Sequence, residues 1–169
     1  MAVSAELNVS LAVHQSGANA FSGGPYWNGL MSLSQVFSNG TTANKIDLAY
    51  MAERTVASAS NDDIDLAGVL TDALGGTITA AELVGILIIN KKADGTANTT
   101  NLTIGGSSSG VPGYTSAGEV VKPGGIYLHM NPDATGIATV TASTGDILRV
   151  TNGSGASNSF QVAILARTA

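Results

Sequence analysis

Ser108, Glu119 and His129 are the side chains whose types and order come nearest to a nucleophile with its base and acid. Gly106-Ser107-Ser108-Ser109-Gly110 has the G-x-S-x-G spacing of a nucleophile elbow, in which a strained strand-to-helix turn exposes a serine hydroxyl. Glu119 and His129 then follow in triad order. The elements that must position such a serine are only half present. A strand is plausible before it, but Val111-Pro112-Gly113 follows and does not open a helix. The expected structure is a Gly/Ser loop, and the chain is expected not to be an enzyme.

Oxygen ligands crowd most densely at Asn61, Asp62, Asp63, Asp65 and Asp72. Read as a calcium loop starting at Asn61, the segment has oxygens at positions 1, 3 and 5. Leu66 stands where the loop needs Gly, and Asp72 where it needs a bidentate Glu. Ile64 and Leu66 alternate with Asp63 and Asp65, so a solvated strand face is the expected reading of the Asn61–Asp65 cluster. The two histidines, His14 and His129, lie near strand ends with no metal-ligand spacing and read as surface or interface residues. Gly153-Ser154-Gly155 lacks the third glycine and the helix of a phosphate loop. No cofactor and no metal is expected. Asn98-Thr99-Thr100 and Asn101-Leu102-Thr103 match the glycosylation triplet, as chance allows in a Thr-rich chain.

Composition narrows the class. The 169 residues are 44% apolar but only 11% charged, against ~25% in ordinary soluble domains. Disordered chains have the opposite balance. With 21 glycines and many Ser and Thr, the chain reads as a β-rich structural protein. Its net charge of −5, and seven basic residues scattered from Lys45 to Arg167, argue against a nucleic-acid partner. There is no cysteine. The longest apolar run, Leu83 to Ile89, is far short of a membrane span, and the first residues lack the pattern of a secretion signal. A soluble protein without a membrane partner is expected.

The elements follow from alternation and turns. Leu7, Val9, Leu11 and Val13 predict a strand within a first region, residues 1–42. After it comes HQSGANAFSGGPYWNG, rich in Gly, Ser and Asn yet carrying Phe21, Tyr26 and Trp27. Two readings fit: a loop folded back on its own domain, or an arm whose rings, with Phe37, anchor on a neighbouring subunit. Residues 43–169 read as the body. Asn44 to Ala52 reads as mostly strand. Thr79-Ala80-Ala81-Glu82 matches a capping box and predicts one or two helical turns. Gly85 to Ile89 predicts a strand covered on both faces. Asn101 to Ile104, Ile126 to Met130, Ile137 to Ala142, Asp146 to Thr151 and Ser159 to Leu165 are further strands. Pro123-Gly124 suits the centre of a type II turn. Short strands at this spacing mean a sandwich or barrel.

The stretch RTVASASNDDIDLAGVLTDALGGTITAAELVGILIINK, then NLTIGG, and later VKPGGIYLHMNPDATGIATVTASTGDILRVTNGSGASNSFQVAILAR, resembles a group of small tailed-bacteriophage structural proteins. The shared pattern runs through D-x-D-L-x-G, L-T-D-A-x-G-x-x-I-T, K-P-G-G and T-A-x-T-G-D-x-L-R-V-T-N, over roughly residues 54–167. Some of these proteins look like capsid decoration, or cement, proteins. The resemblance implies a mainly β fold: a β-sandwich or jelly-roll body, here with an extended N-terminal arm.

It further implies a virion protein on the outer capsid surface, assembled in the host bacterial cytoplasm, that bridges major capsid protein subunits. A homo-oligomer is expected, a trimer by capsid geometry. Phe21, Tyr26, Trp27 and Phe37 are then the expected interface residues. The alternative is a tail, fibre or spike component that binds a host receptor or glycan.

Overall fold

The computed structural model describes residues 2–18 and 23–169, and Phe21 lies outside them. Among the described residues the chain is mainly β, with fourteen strands and no helix. β1 (Ala5–Ser16) and β2 (Tyr26–Asn39) form a long antiparallel hairpin, and β3 (Lys45–Ile46) adds in parallel to the end of β2.

Two sheets follow. One has the order β10 (Ala117–Val121), β9 (Leu102–Gly105), β13 (Ile147–Asn152), β5 (Asn61–Asp65). The other runs β11 (Ile126–Met130), β8 (Glu82–Ile89), β14 (Asn158–Arg167), β4 (Leu48–Val56), with β12 (Ala138–Thr139) also on β8. β6 (Ala67–Thr71) and β7 (Thr77–Thr79) form a small ribbon.

The inward residues of both sheets share one cluster. Ile64, Leu102, Ile104, Leu148 and Val150 come from the first sheet, and Ile86, Ile88, Phe160, Val162 and Ile164 from the second. The alternation of β14, with Phe160, Val162 and Ile164 buried between half-buried neighbours, shows why: side chains on a strand point in turn to either face. A second, smaller cluster of Phe37, Ile46 and Val84, flanked by Val3, Ala5, Met130 and Leu165, roots the hairpin on the body.

Three expectations are corrected here. The capping box makes no helix, because Thr79 ends β7 and Glu82 begins β8. The amides of Ala80 and Ala81 donate to the carbonyls of Leu66 and Arg167, and the Glu82 carboxylate accepts from Arg167 at 2.8 Å, so the groups that would open a helix are held by segments distant in sequence. The strand expected over Ile137–Ala142 is cut to Ala138–Thr139. Ser143 sits at φ +69°, and its amide donates to the Asp146 carboxylate at 2.6 Å, which turns the chain at that point. Phe37, expected at an interface, is wholly buried within its own chain.

The turn at Pro123-Gly124 forms as its residues dictate. Gly125 N–H donates to Lys122 O at 2.8 Å, and Gly124 takes φ +75°.

Candidate functional site: an amphipathic hairpin and an apolar sheet face

β1 and β2 pair without a break from Ala5↔Phe37 to Ser16↔Tyr26, twelve residue pairs that extend about 40 Å. Directly opposed residues share a face. One face presents Leu7, Val9, Leu11 and Val13 from β1 with Trp27, Met31 and Leu33 from β2. The other presents Glu6, Asn8, Ser10 and His14 against Val36, Ser34, Ser32 and Asn28, together with Leu30 and Tyr26. His14 Nδ1 lies 2.7 Å from Asn28 Oδ1 across that polar face.

Among the described residues nothing covers the apolar face: Leu11, Leu33, Met31 and Trp27 are 57%, 57%, 74% and 58% exposed. An isolated two-stranded hairpin is marginal in water, and one with a bare apolar face is a surface awaiting a partner.

Gly29 matters to the shape of that face. A Cβ there would stand 2.2 Å from the Trp27 ring, so the indole lies down over the bare glycine beside Val13, the cross-strand partner of Gly29. Tyr26, by contrast, is on the polar face and 78% exposed. Of the four expected interface residues, Tyr26 and Trp27 are thus presented to solvent on opposite faces. Phe37 is rooted in the body, and Phe21 is outside the described residues.

The outer face of the β11-β8-β14-β4 sheet is also apolar. Leu128, Leu87, Ala163 and Met51 stand in one cross-strand row, and Met130, Gly85, Leu165 and Ala49 in the next. Met51 and Ile126 are mostly exposed. Cavities of about 280 and 160 Å³ open on this face, the second bounded on one side by Ala5 and Leu7. The apolar faces of hairpin and sheet therefore meet at a corner. Sequence reasoning found the pieces separately, as the alternation of Leu7–Val13 and of Ile126, Leu128 and Met130, but not which face of the latter looks outward.

The side chains first suspected of chemistry are divided. Glu119 and His129 line one cleft of about 280 Å³ with Pro112, Tyr114 and Tyr127, but Ser108 does not line it. Tyr114 Oη lies 2.7 Å from His129 Nδ1 and 3.0 Å from Tyr127 Oη. Burial foremost, and the Tyr127 hydrogen bond after it, push the Tyr114 phenol well up, so it stays protonated and serves as a hydrogen-bonding group. Ser108 sits exposed in a turn closed by Gly110 N–H donating to Ser107 O, and Val111–Gly113 continue without a helix.

The acidic cluster is spent on the chain itself. Asp62 pairs with Arg54 at 2.5 and 2.6 Å, and Asp63 with Arg149 at 2.6 and 2.7 Å. Asp65 accepts from Ala67 N–H, and Asp72 from Leu74 and Gly76 N–H. Among the described residues no three His, Asp or Glu side chains gather as a metal site would need.

Neither a family model, nor a curated protein, nor a solved structure matches this chain.

Proposed function

We propose that the chain is a structural protein of a tailed-phage virion that decorates the outer capsid surface and cements it by bridging major capsid protein subunits. The body is a β-sandwich of the jelly-roll kind and the β1–β2 hairpin is its arm. The observation that carries this reading is the hairpin itself, about 40 Å of paired strands with one apolar face that no described residue covers.

A cement needs contact area, and binding that prefers the assembled shell stabilises it by mass action. The resemblance over residues 54–167 points the same way. So does the acidic charge, which keeps such a protein outside a shell packed with nucleic acid. Three of the seven basic residues, Arg54, Arg149 and Arg167, are occupied in ion pairs. The protein acts as a homo-oligomer, with a trimer on a local three-fold position as the arrangement capsid geometry favours.

The test is the copy number of the chain per particle, by densitometry of purified virions against the major capsid protein. A ratio near one, or another simple lattice fraction, supports the decoration role. A handful of copies overturns it in favour of a tail, fibre or spike component. A specific observation favours that second reading: the cleft joining Tyr127, Pro112 and the Glu119 carboxylate offers an aromatic ring and an acceptor, the chemistry that holds a sugar.

A further inference from the structure

We infer that the apolar face of the β1–β2 hairpin of one copy lies on the outer face of the β11-β8-β14-β4 sheet of a second copy of this chain. The six exposed hairpin side chains from Val9 to Leu33 on that face, with Met51, Ile126 and Leu128 of the sheet, are between 38% and 77% exposed. Together they present on the order of 1,000 Å² of apolar surface, where the largest patch on a typical monomer is about 300–600 Å². Shared between the hairpin of one copy and the sheet of the next, that is about 500 Å² per partner, at the lower bound of about 1,000 Å² in total that a specific interface clears.

The hairpin cannot cover its own sheet. Its apolar side chains from Val9 to Leu33 stay exposed, and only its base, at Ala5, Glu6 and Leu7, borders the sheet cavity. The two surfaces nevertheless match. Both are faces of antiparallel strands, which pack upon one another about 10 Å apart. The hairpin's apolar face carries no charged residue, and neither do the sheet rows named above; Glu53 stands in the next row beyond Met51, and Glu6 borders the sheet cavity.

Both surfaces also occur once in every copy. A symmetric assembly in which each hairpin lies on the next copy's sheet covers every one of them when the ring closes. Supply in equal number and continuity at the Leu7–Met130 corner favour a second copy as the occupant over an unrelated partner.

The contact rests on the homo-oligomer proposed above and on nothing about a shell. Few copies per particle would remove the decoration role and leave the contact standing. A monomer would remove the contact and leave the copy number untouched.

The experiment is light scattering on the purified full chain. The expected mass is a small whole multiple of 16.9 kDa. A monomer at roughly 100 µM overturns the inference. Met31→Asp on the hairpin and Met51→Asp on the sheet are each expected to dissociate the oligomer with unchanged far-UV circular dichroism. Leu30→Asp, one residue away on the polar face and as exposed as Met31, is expected to leave it intact. Dissociation by the hairpin variant alone means hairpin-to-hairpin pairing and overturns the inference.

A second readout needs no dissociation. Trp27 is the chain's single tryptophan, so its emission reports the hairpin face. Met51→Asp, on the body, is expected to shift that emission to the red; an unchanged spectrum counts against the contact.

Discussion

Arg167, wholly buried at the end of β14, donates to the Glu82 carboxylate at 2.8 Å across the β14–β8 pairing. The same guanidinium donates to the carbonyls of Lys45, Ala134 and Asp133. One side chain therefore ties the strand that follows the hairpin, the central sheet and the 133–134 loop. A fixed fork of five donors can satisfy four acceptors at once, which lysine, with three donors on a single nitrogen, cannot.

Removing Arg167 would leave the Glu82 carboxylate and three carbonyls without their donor and empty a wholly buried position. Arg167→Met is expected to cost about 3–5 kcal/mol in urea unfolding, and Glu82→Gln, which keeps an acceptor for the guanidinium, about 1–3 kcal/mol. A change within the ~0.5 kcal/mol of an ordinary surface substitution would show that the hub carries no stability.

The hairpin can be removed without touching its root. Leu7 and Gln35 are directly opposed, so joining them through Asn-Gly in place of residues 8–34 keeps Val3, Ala5 and Phe37 in the small cluster with Ile46 and Val84. This shortened chain is expected to keep the body's melting transition and to lose binding to undecorated shells. Deleting residues 1–40 instead takes Phe37 away as well, with an expected further cost of about 3–5 kcal/mol from the cavity left behind. Undiminished shell binding by the shortened chain would exclude the hairpin as the arm.

Acid should weaken the β5–β13 edge of the first sheet. The Arg149 guanidinium holds the Asp63 carboxyl below the usual carboxylate range. A group depressed on folding contributes stability that is present above its unfolded value, near pH ~4, and lost as pH falls through its lowered folded value. Because Asp63 is part-exposed, the contribution is at most about 1 kcal/mol. Asp63→Asn is therefore expected to melt slightly lower than the parent at pH 7 and to converge with it near pH 2. A gap that stays constant across that range would rule the pair out. Asp94 and Asp133, held low by the amides and hydroxyls of Thr96 and Thr135, leave both proteins some acid sensitivity.

What could be read from the sequence was what alternation writes locally. Leu7–Val13, Ile126–Met130 and Ser159–Leu165 form strands because their neighbours alternate, and Gly124 turns because only glycine takes that φ without strain. β2 was hidden. Tyr26–Asn39 alternates too, but Gly29, Ser32 and Ser34 dilute it, and its partner lies across a Gly-rich connection.

The capping box misled because Thr79 and Glu82 satisfy its pattern while the groups that hold the segment, Leu66 O on the Ala80 amide and the Arg167 guanidinium on Glu82, come from outside it. For the same reason nothing near Arg167 announced its role: its acceptors come from residues 45, 82, 133 and 134. Leu128 and Met130 were legible as one face of a strand, but which face looks outward depends on the sheet's other layer.

The Arg167 tie also defines how the molecule would bear a load. A pull on the hairpin reaches the body through β3 and enters β4, which is zipped to β14 over nine residue pairs from Leu48↔Ala166 to Val56↔Asn158. Drawn along its own axis, β4 must shear all those pairs together rather than peel them one at a time. The hold of Arg167 on Lys45 O and of Asp47 on Thr168 shares the strain with the strand's neighbour before β4 can slip. The hairpin is thus moored as a tether, through β4, to β14, the most extensively paired strand of the body, so that tension is met by a whole sheet.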